Sequence, residues 1–82
     1  MIEEEREGYK NGLRDDLSRL DAVRSEWSRK ITVFKRVIDI CPECSGKREL
    51  LKNFQEMKQQ RDRELKQIQE SINWLRGVLN GD

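Results

Sequence analysis

The sequence contains no histidine, and only one proline and two cysteines among its 82 residues. Histidine is the side chain most often used for proton transfer near neutral pH, so its absence removes the commonest acid–base catalyst. No glycine-rich phosphate loop is present, and no serine has an evident base partner. We therefore expect that the chain is not an enzyme.

Long apolar runs and a strong net charge are also missing. No apolar run approaches the ~18 residues that span a bilayer, and the acidic start IEEERE lacks the basic and apolar regions of a signal peptide. We expect no membrane association and a cytoplasmic location, or a nuclear one in a eukaryote. The net charge of +1 provides no general field for phosphate binding, so direct contact with nucleic acid is not expected.

Charged residues make up 40% of the chain and hydrophobic residues 34%, a mixture that favours either disorder or a narrow apolar seam. Periodicity indicates the seam, because apolar residues recur at heptad spacing in both halves. In the first half these residues are Leu13, Leu20, Trp27, Phe34, Leu17, Ile31 and Ile38. In the second half they are Leu51, Leu65, Ile72, Leu79, Phe54, Ile68 and Leu75.

The break between the halves is the segment ICPECSGKRE. Pro42 disfavours helical dihedrals at Cys41, while Ser45 can cap a following helix. Residues 1–82 are therefore predicted to form one domain, with helix 1 at about 9–40, a turn at 41–46 and helix 2 at about 47–79. We expect the glycines near both termini to weaken the end opposite the turn.

The two heptad patterns match when the chain folds back at its middle. Facing residues then have numbers that sum to about 88 or 89, so that Leu20 meets Ile68 and Phe34 meets Phe54. The fold class predicted is all-α: an antiparallel helical hairpin, or two-helix coiled coil, that dimerises into a four-helix or tip-to-tip assembly.

Some apolar residues lie off the seam, and a hairpin this small rarely gains enough stability from one core. Val37 and Leu50 are equally well explained as widening the seam. For Val33, Ile40, Met57 and Trp74 together we expect contact with a partner, most simply a second copy. The candidate partner-binding residues are Val33, Val37, Ile40, Leu50, Met57 and Trp74.

Cys41 and Cys44 have the spacing that directs two thiolates at one ion from a tight turn. Zinc prefers four such ligands, so two tips that meet would complete a Cys₄ site shared between two chains. Two other interpretations stay open. The pair is a thiol–disulfide switch, since nearby Lys47 and Arg48 would lower the pKa of a thiol, or both cysteines are turn residues without a ligand.

The Cys41-Pro42-x-Cys44 turn between two coiled-coil arms resembles the zinc hook of the SMC-like ATPases of double-strand-break repair. The resemblance covers about ten residues, and Leu50 or Leu51 falls near a leucine that often follows the motif. It implies that one zinc ion joins two molecules and that the chain is a tether. A fainter resemblance links DICPEC to the cysteine-bearing effector loop of MerR-type regulators.

The sequence thus favours a non-enzymatic dimerisation or tethering module, with zinc shared between two CPEC tips. The alternative is a small regulatory or adaptor protein whose hairpin docks onto a larger protein. In that case the cysteines are structural or redox-sensitive. Metal content and the effect of Cys41→Ser on dimerisation would separate the two.

Overall fold

Two long helices make up almost all of the protein. The computed structural model describes residues 2–41 and 45–81. Helix α1 spans Glu3–Ile40 and helix α2 spans Lys47–Asn80. They pack side by side in a rod with extents of 62 × 16 × 12 Å. The prediction of an all-α helical hairpin is confirmed.

The helix ends differ in detail from those expected. Helix α1 begins at Glu3 rather than near residue 9, and Glu3, Glu4 and Glu5 occupy its first turn. Carboxylates there interact favourably with the helix dipole, which offsets the cost of the glycines that follow. Helix α2 begins one residue after Gly46, its N-cap, without a side-chain capping bond, so Ser45 does not cap it.

The register of the hairpin follows the heptad match. Phe34 and Phe54, whose numbers sum to 88, stack with ring centroids 5.8 Å apart and planes 6° from parallel. Near the other end, the Ser71 hydroxyl donates to Asp16 Oδ2 at 2.6 Å. These contacts fix an antiparallel pairing of the helices along most of the rod.

The buried core is concentrated away from the turn. The buried side chains are Leu20, Trp27, Ile68, Ile72 and Leu75. Among the described residues, no side chain closer to the turn than Trp27 is buried. Leu51, near the turn, remains 44% exposed. We call the end opposite the turn the open end. An ideal Cβ position on Gly12 lies 3.8 Å from Leu75, whereas those on Gly8 and Gly77 meet no atom within 4 Å, so the packing at this end includes Gly12 but not the other two glycines.

A hydrogen bond joins the helices in the middle of the rod. The Trp27 indole N–H donates to Glu64 Oε2 at 3.0 Å, and the Lys30 ammonium lies 4.9 Å from the centre of the Trp27 ring. Trp27 is only 7% exposed. Without Glu64 its indole N–H would lose this acceptor while remaining largely shielded from water.

We expect Glu64→Ala to lower the free energy of unfolding by about 1–2 kcal/mol, the usual effect of removing the acceptor of a shielded donor. Urea unfolding followed by Trp fluorescence measures this change. Gln60→Ala, one turn earlier on the exposed surface of α2, is the matched control. Equal losses in the two variants would show that the hydrogen bond does not stabilise the fold.

Candidate association surface and the Cys41 turn

The two flanks of the hairpin differ in chemistry. Residues seven apart share a position on a coiled-coil helix, so each flank is a row at heptad spacing. We call one flank the apolar flank; its rows are Tyr9, Asp16, Val23, Lys30 and Val37 on α1, and Leu50, Met57, Glu64, Ser71 and Val78 on α2. We call the other the polar flank; its rows are Arg14, Asp21, Ser28 and Lys35, and Gln55, Asp62, Gln69 and Arg76.

Contacts between the helices place the two rows of the apolar flank on the same side of the rod. Asp16 accepts the hydrogen bond from Ser71, and Val37 and Met57 line one groove. Six of the ten positions on this flank are aromatic or aliphatic, whereas the polar flank rows contain no apolar residue. Apolar side chains beyond the seam are therefore gathered on one side.

The turn half of the apolar flank carries an open groove of about 380 Å³. Four apolar residues, Val33, Phe34, Val37 and Met57, line it together with Arg29 and Lys30. Val33 is 60% exposed and Val37 44% exposed. The groove thus offers an apolar surface beside two cations.

The open end carries a second exposed cluster. Trp74 is 60% exposed, and its ring meets that of Tyr9 edge to face, with centroids 5.9 Å apart. Ile2 is 61% exposed at the same end. An edge-to-face neighbour holds the Trp74 ring in place while leaving most of its surface open to water.

The six candidate partner-binding residues therefore do not form one patch. Val33, Val37 and Met57 share the groove. Ile40, 81% exposed, ends α1 beside the turn, and Leu50 is half-buried in the first turn of α2. Trp74 lies at the opposite end of the rod, against Tyr9.

A groove also lies between the helices on the polar side, and its lining is different. It has a volume of about 420 Å³, and the seam residues Ile31 and Leu65 line it together with five polar or charged residues, Arg24, Ser28, Thr32, Arg61 and Asp62. Arg61 donates through Nε to Asp62 at 3.0 Å, so one of the two guanidinium groups is already paired.

In the described parts of both helices, no stretch is long and apolar enough to cross a membrane.

Cys41 directly follows α1, and its backbone N–H donates to the Ile38 carbonyl at 3.2 Å. Its sulfur is disulfide-bonded in this structure, and a disulfide sulfur does not supply the thiolate that zinc requires. Cys44 lies outside the described residues, as do the other central positions of the predicted turn. Over residues 2–41 and 45–81, no group of three or more candidate metal ligands comes together. A site with two ligands from each of two chains would not give such a group in one chain, so the shared zinc site stays a prediction.

No family model, curated protein or solved structure matches this chain. The function must therefore be argued from the residues of the hairpin itself.

Three residues of the surface were not identified from the sequence. Tyr9 supports Trp74, and Arg29 and Lys30 line the groove. Heptad spacing from Val37 and Val23 leads to Lys30 and then to Tyr9. The heptad spacing therefore includes Lys30 and Tyr9, but it predicts a shared surface only when the two helices are known to place these rows on one side of the rod.

Proposed function

We propose that this protein is a non-enzymatic association module, and that its apolar flank pairs with the same flank of a second copy to form a four-helix homodimer. The observation that carries the proposal is that the apolar residues beyond the seam, among them the exposed Val33, Val37 and Trp74, are gathered on one side of the rod. An apolar flank opposite a polar one marks a surface for contact with another protein chain.

The packing of the hairpin supports the same conclusion. Among the described residues, five side chains away from the turn are buried, and the turn half exposes Val33, Val37 and Ile40. Chains of this size usually need a second source of burial. A flank-to-flank dimer would cover the groove of each copy and supply that burial.

The available area is sufficient for a stable contact. A standard interface buries about 800 Å² on each partner, which is a small part of the 6411 Å² surface of the chain. A rod 62 Å long and 16 Å wide can present such an area on one side. With a formal net charge of +1, two copies do not repel each other strongly.

Sedimentation velocity at micromolar concentration tests the proposal, and we expect a species of about twice the 9.8 kDa chain mass. Native mass spectrometry of the reduced protein, prepared without chelator, reads zinc content in the same sample. A zinc-free dimer supports association through the flank. A dimer that carries zinc and separates with chelator would move the contact to the tips. A monomer would contradict the proposal and favour docking onto a larger protein.

A further inference from the structure

Charge is distributed unevenly along the rod. Residues 1–16 and 69–82 at the two ends of the sequence carry eight acidic and four basic side chains, a formal charge of −4. Residues 29–58 around the turn carry eight basic and four acidic side chains, a formal charge of +4. The near-neutral total therefore conceals a rod with an acidic end and a basic end.

We propose that the two copies lie antiparallel, so that the basic turn end of each chain packs against the acidic open end of the other. This inference rests on the proposed function and adds the orientation of the partner. Because the dimer has two-fold symmetry, the favourable pairing of opposite charges occurs twice.

The apolar clusters match in the same orientation. At a rise of about 1.5 Å per residue, Tyr9 lies about 9 Å from the start of α1, and Val33 lies about 10 Å from the end of α1. Trp74 contacts Tyr9 and so lies at the same height along the rod. When two rods overlap fully in opposite directions, the Trp74 ring of one copy therefore faces the groove of the other. Arg29 beside the groove is suited to contact an aromatic face, whereas the Lys30 ammonium already pairs with Glu26 at 3.0 Å and lies over Trp27 of its own chain.

A parallel arrangement would also bring apolar residues together, because each cluster would meet its own copy. It would, however, place two basic ends side by side and two acidic ends side by side. Like charges across an interface oppose association. Charge, rather than apolar burial, therefore decides the orientation.

Spin-label distances test this orientation. In a Cys41→Ser, Cys44→Ser background, a single label is introduced by Asp39→Cys near the turn or by Asp21→Cys at mid-rod. Both positions are exposed and lie away from the apolar flank. Antiparallel copies should separate the labels at position 39 by about 60 Å, and parallel copies by about 30 Å. At position 21 both orientations give about 30 Å.

The two label positions separate the two ways in which the inference can fail. A short distance at position 21 with a long one at position 39 supports it. Short distances at both positions would overturn the antiparallel orientation and leave the homodimer intact. No dipolar coupling between chains at either position, with helical content unchanged, would overturn the homodimer as well.

The sign of the salt effect provides an independent test on the unlabelled protein. Sodium chloride screens charges, so raising it from about 0.05 M to about 0.5 M should increase the dimer dissociation constant about threefold or more if opposite charges meet. If like charges meet, the same change should lower the dissociation constant, and that result would overturn the antiparallel arrangement.

Discussion

Val33→Glu is expected to convert the dimer into monomers, with a rise in the dissociation constant of about 100-fold or more. Val33 is 60% exposed in the single hairpin and lies in the groove that the second copy would cover. Burial of a carboxylate in an apolar contact costs several kcal/mol, which one neighbouring cation offsets only in part, and each dimer contains the substitution twice. Sedimentation equilibrium over a range of concentrations measures the change.

The hairpin itself should tolerate this substitution. Glutamate has good helix propensity, and the new carboxylate would lie one turn from Arg29. Ser25→Glu makes the same change in charge at an exposed position two turns earlier on α1, away from the apolar flank. If Ser25→Glu weakens the dimer as much as Val33→Glu does, the contact is not on the apolar flank.

Ile72→Ala should cause the largest loss of fold stability, about 2–5 kcal/mol. Ile72 is the one described side chain with no exposed surface, and it packs with Leu20 and Ile68 at the centre of the core cluster. Its truncation removes apolar burial and leaves a cavity between two helices that have no third layer. Urea unfolding followed by far-ultraviolet circular dichroism, at one fixed protein concentration, gives the free energy of unfolding.

Leu51→Ala is the matched control, because Leu51 occupies the same heptad row as Ile72 but is 44% exposed. We expect it to cost about 1 kcal/mol or less in the single hairpin. Comparable losses for Leu51 and Ile72 would show that the turn half of the seam is packed as well as the open half, contrary to the burial seen here.

The fold could be predicted because a single physical pattern determines it. Heptad spacing on both sides of Pro42 specifies two amphipathic helices and also their register. The stack of Phe34 on Phe54 and the burial of Trp27 agree with that pattern. The early start of α1 was not foreseen, because the cost assigned to Gly8 and Gly12 took no account of the acidic first turn.

The candidate surface could be predicted only in part. The sequence identified Val33, Met57 and Trp74 as lying off the seam. A residue beside the seam can lie on either flank of the hairpin, and spacing within one helix does not show which rows of the two helices share a flank. That information comes from contacts between the helices, such as the one between Tyr9 and Trp74. The opposite charges of the two ends also become apparent only after the chain has folded back on itself.

The location of Cys41 at the end of a rod 62 Å long determines how dimers could join into longer assemblies. In an antiparallel dimer the two Cys41 residues lie at opposite ends, so a zinc ion or an intermolecular disulfide, formed once the present disulfide of Cys41 has been reduced, would join separate dimers. Each dimer would then have two identical ends, and a joint at both ends continues without closing. The flank would set the width of such a filament, and the state of the cysteines would set its length.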